Sequence, residues 1–351
     1  MKHNILITWY SKAQGGAEKS VVDLCNKIAD SDRFGVTLLY INSPKYYPDL
    51  SGVNPNVTVY NLRINLWIYE NISFLIVAFI LFKRKITILH SNHRGISGEL
   101  LAGKVFRKTV LATIRSIPIE ISNANKFKRA DILVAISKAV EVRLRVLGCN
   151  RAIIVIHNGI DLNDFNCLIN KRLDIKNNFY FMARLVRWKR PNWFVISAVR
   201  LRKKYPKTVF HIFGDGPERE NVKNLIIQNN ATGFIKMHGW ISYNDPMLDD
   251  MGIFVTTSYL EPFGRTTVEA VFRNKVVVGT KSGAIPELLP DYDLLFEMNN
   301  ANDLLHKMDL AYKRYGYYFN DIARRRDEFI KYYNIERVKE DYLQLYDKAI
   351  D

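Results

Sequence analysis

The stretch Glu261-Pro262-Phe263-Gly264-Arg265-Thr266-Thr267-Val268-Glu269-Ala270 decides how the rest of this 351-residue chain is read. An apolar run, Gly252-Ile253-Phe254-Val255-Thr256-Thr257-Ser258, precedes it and predicts a strand. The residues after it, to about Asn274, follow a helical pattern. Glu261 is therefore expected in the loop beyond a strand's carboxyl end, and Glu269 in the early turns of the following helix. In an open α/β sheet that loop lines the crevice where ligands bind. The helix start offers backbone N–H groups and the positive end of a dipole, which together favour a phosphate. Two carboxylates flanking such a seat suit the hydroxyls of a ligand that carries both sugar and phosphate. The bland alternative is one acid that merely precedes a helix and another that faces solvent.

Working outward, strand-like runs and helical patterns alternate along the whole chain. Lys2–Thr8 predicts a buried strand, followed by a loop with Gly15-Gly16 and a helix with Val21, Val22, Leu24, Cys25, Ile28 and Ala29 on one face. Strand, glycine loop and helix start form the general phosphate-binding layout, although this loop is neither a G-x-G-x-x-G fingerprint nor a Walker loop. Further strands are expected at Val36–Ile41, Val57–Tyr60, Ile86–His90, Val110–Ile114, Ile132–Ile136 and Ala152–Ile156. Residues 162–177, rich in Asn, Asp and Lys, predict a linker. A second series begins with Phe179–Ala183, Thr208–Phe213, Ile235–Trp240 and Val276–Thr280 as strands. From Ala301 the chain is expected to be helical, with Ile335, Val338, Tyr342, Leu345 and Tyr346 as a buried stripe. Alternation of this kind predicts parallel, doubly wound sheets.

Length suggests about two domains. Hydrophobic content of 48% and charged content of 25% are ordinary for a globular protein. Cys25, Cys149 and Cys167 have no paired or metal-type spacing, so a reducing compartment is expected. Met1 to Ile7 leads straight into a strand, and no secretory leader is expected. The formal charge is +16, from 51 basic and 35 acidic side chains. Residues 1–165 hold +10 of that excess. Such a balance favours anionic partners: phosphorylated substrates, an acidic membrane surface or nucleic acid.

Taken in order, these motifs resemble the retaining GT-B glycosyltransferases of family 4, which use nucleotide sugars. The resemblance runs from Gly15-Gly16 through the Glu-x7-Glu region to Pro286-Glu287 and the last helix. It implies a GT-B architecture, two doubly wound Rossmann-like domains facing a cleft: an acceptor-side domain over 1–165, a nucleotide-sugar domain over 166–334, and residues 335–351 packing back on the first. It also implies roles. Arg184 and Lys189 would hold the donor diphosphate, Glu261 would lie beside the transferred sugar, and Glu269 would bind the ribose. Backbone N–H groups of Phe263, Gly264 and Arg265 would meet sugar and phosphate, with Thr266 close by. Gly214 would line the base, with a weaker base contact near Trp240 and Ile241, and Gly15 and Gly16 would face the diphosphate and sugar. His90, Asn92, His93 and Arg115 are candidates for the acceptor side, with a core or capping role the alternative for the histidines. One departure is Arg190, where the family usually has Gly after the lysine; another is Asn92, where many relatives have a second histidine. No metal or other cofactor is expected, since Arg184, Lys189 and a helix end supply positive charge.

The implied reaction is retaining transfer of a sugar from a nucleotide diphosphate sugar to a hydroxyl of a glycan acceptor, lipid-linked or of the lipopolysaccharide or polysaccharide type. An epimerase of the same fold is the alternative enzyme, and a basic nucleic-acid-binding protein the non-enzymatic one. No recognisable nucleic-acid module is present, so no nucleic-acid partner is expected. One segment stands apart. Ile72–Phe82 is eleven apolar residues closed by Lys83-Arg84-Lys85, short of the ~20 that span a bilayer. It predicts either a buried helix or one lying on an anionic membrane surface. The expected location is cytoplasmic, with the inner face of the cytoplasmic membrane as a peripheral site.

Overall fold

A computed structural model describes residues 3–11, 15–45, 48, 50–92, 97–118, 127–165 and 174–350. The chain divides into two compact units: Met1–Asp161 with Tyr333–Asp351, and Leu162–Tyr332.

Unit 1 is a parallel sheet of seven strands among the described residues: β1 (His3–Ser11), β2 (Phe34–Asn42), β3 (Val57–Arg63), β4 (Ile86–Ser91), β5 (Thr109–Ile114), β6 (Ile132–Ala135) and β7 (Ile153–Val155). Their spatial order is β3-β2-β1-β4-β5-β6-β7. Register is continuous from His3 opposite Phe34 to Ser11 opposite Asn42. The strands read as unbroken apolar runs because helices cover the sheet, so both faces are buried. The helices are α1 (Gly16–Asp30), α2 (Leu66–Lys83), α3 (Ser97–Val105) and α4 (Lys138–Val146). Val21, Leu24, Cys25 and Ile28 of α1 join Ile5, Ile7 and Leu38 of the sheet in one core. Each such side chain, fully buried, stabilises the fold by about 1.5–3 kcal/mol.

Unit 2 repeats the plan with β8 (Asn178–Met182), β9 (Val209–Phe213), β10 (Ile235–Gly239), β11 (Ile253–Val255), β12 (Val276–Thr280) and β13 (Leu295–Phe296), in the order β10-β9-β8-β11-β12-β13. Its helices are α5 (Pro191–Lys204), α6 (Arg219–Gln228), α7 (Arg265–Phe272), α8 (Ile285–Leu288), α9 (Ala301–Lys313) and α10 (Tyr315–Tyr333). In both units the strand order reverses once, between β1 and β4 and between β8 and β11. Those reversals open a crevice at the carboxyl ends of the strands.

The last helix, α11 (Ile335–Asp347), belongs to unit 1. Its Val338, Tyr342, Leu345 and Tyr346 join the core of α1 and β1. Lys27 of α1 binds Glu336 at 2.8 Å and Asp161 at 2.9 Å, so it ties both ends of the segment that leaves and re-enters the unit.

Two elements differ from the sequence expectation. The apolar helix is not eleven residues but eighteen, because Leu66–Asn71 continue it backward from Ile72 and Lys83 forward from Phe82. The helical end is three helices, broken at Arg314 and Asn334. Asn334 caps α11, its side chain accepting from the Glu336 N–H.

Candidate active site

The carboxyl ends of β8 and β11 build the site of unit 2. After β8 the chain makes a short turn over Arg187–Lys189 and enters α5. Two loops are stitched together there. Thr257 Oγ1 donates to the carbonyls of Lys189 (2.8 Å) and Arg190 (2.9 Å), and the Tyr259 N–H donates to the Trp188 carbonyl (2.8 Å). Lys189, held from beneath, reaches Glu261 in an ion pair that is nearly buried on both sides. It also lies 4.3 Å over the ring of Trp188. Arg184 is exposed at the same strand end.

Gly264 ends the loop at φ 91, ψ 46 and starts α7 without any side-chain cap. A Cβ there would lie 2.9 Å from Ile285 and 3.0 Å from Leu288, so bulk as well as φ demands glycine. A helix start lacking a capping side chain suits an anion. Phe263 is buried and Thr266 half-buried beside it. Glu269, one turn on, is buried and accepts from Arg265 Nε at 2.8 Å. The two expected carboxylates thus lie at the two ends of one helix start, and each carries its own cation.

Gly214 follows β9 at φ 130 and packs backbone to backbone on the β8 loop. A Cβ there would stand 1.9 Å from the Ala183 carbonyl oxygen. The Gly214 N–H donates to Gly239, and Leu185 donates to Asp215. Trp240, just past β10, is exposed.

Arg190, the departure from the glycine usual in the family, adopts φ 52, ψ 52. Its backbone is therefore in the left-handed state that glycine reaches without strain. The side chain lies over Trp193 at 4.9 Å and Tyr259 at 4.7 Å and donates to Asn299 Oδ1 at 2.7 Å. Those contacts offset the strain, and the lysine before it keeps its place.

In unit 1 the strand ends at the β1–β4 reversal enclose a pocket of about 210 Å³, lined by Trp9, Tyr10, Ala17, Asn92, Ile114, Arg115, Ser116 and Phe127. Arg115 Nε donates to Asn92 Oδ1 at 2.9 Å, and its Nη1 to Asn158 Oδ1 at 2.5 Å. Gly15 is exposed and extended at the start of α1, with no side-chain cap, and Gly16 is the first helical residue. In the first turn of α1, Glu18 is buried and accepts from Ser11 Oγ at 3.0 Å and from the Tyr40 hydroxyl. Glu18 anchors the glycine loop to β1 and β2.

His90 does not line this pocket. It is fully buried, with Nδ1 2.6 Å from the Tyr346 hydroxyl, Nε2 2.8 Å from Thr113 Oγ1, and its ring stacked on Tyr342. Burial first, and Arg115 second, push its pKa well below the usual histidine range, so it is a neutral core residue that fastens α11 to the sheet. His93 lies outside the described residues. Sequence reading missed Trp188, Thr257, Asn158 and Tyr40. The Arg265–Glu269 pair was missed as well, although its i, i+4 spacing is a signal that could have found it.

Comparison with known proteins follows the same division. A family model for glycosyl transferases group 1 matches residues 169–332, and one for glycosyltransferase family 4 matches residues 14–164. The chain is 28% identical over 273 residues to an uncharacterized glycosyltransferase of Methanocaldococcus jannaschii, covering 72% of this chain and 74% of that protein. It is 23% identical over 224 residues to the lipopolysaccharide core biosynthesis glycosyltransferase LpsE of Rhizobium meliloti, covering 62% of this chain and 65% of the relative. Among solved structures, Anabaena HepE in complex with UDP and glucose has a TM-score of 0.81 at 19% identity, with 99% of this chain and 100% of that one covered.

Proposed function

We propose that this chain, which belongs to the glycosyl transferases of group 1 and family 4 and has the GT-B fold, moves a sugar from a nucleotide diphosphate sugar to a hydroxyl of a glycan acceptor, with retention of configuration. Glycosyl transfer itself follows from the family. The donor class, the stereochemistry and the acceptor class are our reading. The observation that carries it is the convergence of Arg184, Lys189, Glu261, the start of α7 and Glu269 at one strand reversal.

In this reading Arg184 and Lys189 neutralise the diphosphate as it leaves, and the start of α7 stabilises the same charge. The bond from the sugar's anomeric carbon to the phosphate oxygen breaks, and its electron pair stays on the diphosphate. A bond to the acceptor oxygen forms on the same face, and the acceptor's proton passes to the departing phosphate oxygen. Glu261 orients the sugar through its hydroxyls, and Glu269 takes the ribose hydroxyls. Both acids are already paired, so a bound donor would share Lys189 with Glu261, and the ribose would compete with Arg265 for Glu269. No metal is needed for this charge balance, and transfer should persist in a chelator. The pocket beside Arg115 is the proposed seat for part of the acceptor. Similarity to the lipopolysaccharide core enzyme LpsE supports an acceptor of the cell-surface polysaccharide type.

Calorimetry with uridine, guanosine and adenosine diphosphates tests the assignment. Glu269→Ala is expected to weaken the diphosphate that binds by about tenfold or more, the loss of hydrogen bonds to a charged group. Glu261→Ala should leave that binding intact or tighter, since it releases Lys189, while impairing transfer. Equal losses from both, or no binding of any diphosphate, would contradict the roles.

A further inference from the structure

Helix α2 is apolar on all sides, yet only 28% of it is buried, and by length and composition it could cross a membrane. A helix hydrophobic all round is ordinarily buried on every face. Here one face, Tyr69, Ser73, Val77, Ile80 and Leu81, is buried in unit 1. The opposite face offers Leu75 at 68% exposure, Phe79 at 58% and Phe82 at 81%. These positions recur at helical spacing and form one stripe. Helix α3 lies against α2 so closely that a Cβ on Gly98 would sit 2.2 Å from Ser73 Oγ, and it adds exposed Val105 and Phe106. Both helices end in cations: Lys83, the last residue of α2, and Arg84 and Lys85 after it are exposed, and so is Arg107 after α3.

We propose that the outer face of α2 and α3 docks on an anionic lipid surface, with α2 lying in the plane of the interface rather than crossing it. Crossing would require α2 to leave the unit. Its Tyr69 hydroxyl donates to Glu99 at 2.6 Å, and Glu99 also accepts from Thr8 at 2.7 Å and Ser91 at 2.9 Å in a fully buried cluster. Pulling α2 out would take the Tyr69 hydroxyl, one of three donors, from that buried carboxylate and expose the face on Val77 and Leu81. An in-plane helix keeps both. The outward stripe enters the boundary between headgroups and chains, and the cations at its end meet the lipid charge. Glu70, the helix's acidic side chain, sits about 20 Å from Lys83 along the axis, away from the cationic end. An anionic lipid surface meets these cations with opposite charge, whereas a second copy of this chain packed in parallel would set like charges against each other. The inference stands apart from the donor reading and would survive its failure.

The test is flotation of the full chain with vesicles of phosphatidylcholine alone or mixed with phosphatidylglycerol. Binding is expected to the mixed vesicles, poorly to phosphatidylcholine, and less as salt rises. Replacing Lys83, Arg84 and Lys85 with Ser should weaken it about a hundredfold, roughly fivefold per cation. Phe79→Ser with Phe82→Ser should weaken it at least tenfold even at low salt, with circular dichroism unchanged because both rings are already in water. Three results would overturn the proposal. The unmodified chain could ignore mixed vesicles at low salt. The phenylalanine variant could bind as the unmodified chain does, leaving only general attraction of a basic protein. Or the chain could be a dimer in solution that the phenylalanine substitutions dissociate, which would assign the face to a second copy.

Discussion

At the scale of the residue, Lys189 carries the clearest consequence. Its ammonium is pinned between Glu261 and the Trp188 ring, while Arg184 stands exposed at the same strand end. Removing either should cost about 2–4 kcal/mol of transition-state stabilisation, read as a fall in kcat/KM of roughly 30- to 1000-fold. The two variants should differ in stability. Arg184→Ala leaves a surface charge out and should melt like the unmodified chain. Lys189→Ala strips a buried carboxylate of its partner and should be less stable by about 1–3 kcal/mol. Kinetics and thermal melts together check both statements; near-normal turnover in both variants would remove these residues from the chemistry. Sequence order alone placed both basic residues after one strand but could not show this difference, because it depends on what Glu261 reaches across 72 positions of chain. Arg190 teaches the same lesson in reverse. A non-glycine residue where the family favours glycine reads as an altered loop, whereas Trp193, Tyr259 and Asn299 hold it in a left-handed backbone.

At the scale of the element, strands such as Ile5–Ile7 and Val276–Val278 were legible as apolar runs because parallel strands are covered on both faces. Helix α2 was legible in kind but not in length: Trp67, Glu70 and Asn71 mask its first turns with polar and aromatic character. Buried polar contacts between elements left no trace in the sequence pattern. His90 and Tyr346 are 256 positions apart, and a histidine at a strand end looks the same whether it meets substrate or a tyrosine. The stacked pair His211 and His238, joining β9 to β10 at 3.0 Å, is another such contact. Burial first, then His238 and Lys236, push His211 down to about 4. The folded protein thus holds it neutral, while the unfolded chain protonates it near 6.5. Its stabilising contribution is complete above about pH 6.5 and is lost as pH falls toward about 4. Chemical denaturation across that window should show falling stability, and His211→Phe, next to the ring of Phe213, should flatten the slope. A slope unchanged by that substitution would place the titration elsewhere, with His90 the next candidate.

At the scale of the whole molecule, two doubly wound units were readable from alternation of strand and helix, and the order of the motifs pointed to one family before any geometry. The return of α11 to unit 1 follows from its stripe of Val338, Tyr342 and Tyr346, whose partners are the first strands of the chain. Gly214, packed on the Ala183 carbonyl, and Trp240, exposed past β10, were expected near the donor base from the resemblance alone. The central claim, retaining transfer from a nucleotide diphosphate sugar, is tested most directly by proton NMR of the protein incubated with α-linked nucleotide sugars and a cell-surface glycan acceptor. The account predicts that one donor is consumed, its nucleoside diphosphate is released, and the new anomeric centre carries the one-bond carbon–proton coupling of an α linkage. A β-linked product, or free epimerised nucleotide sugar with no product at all, would contradict it.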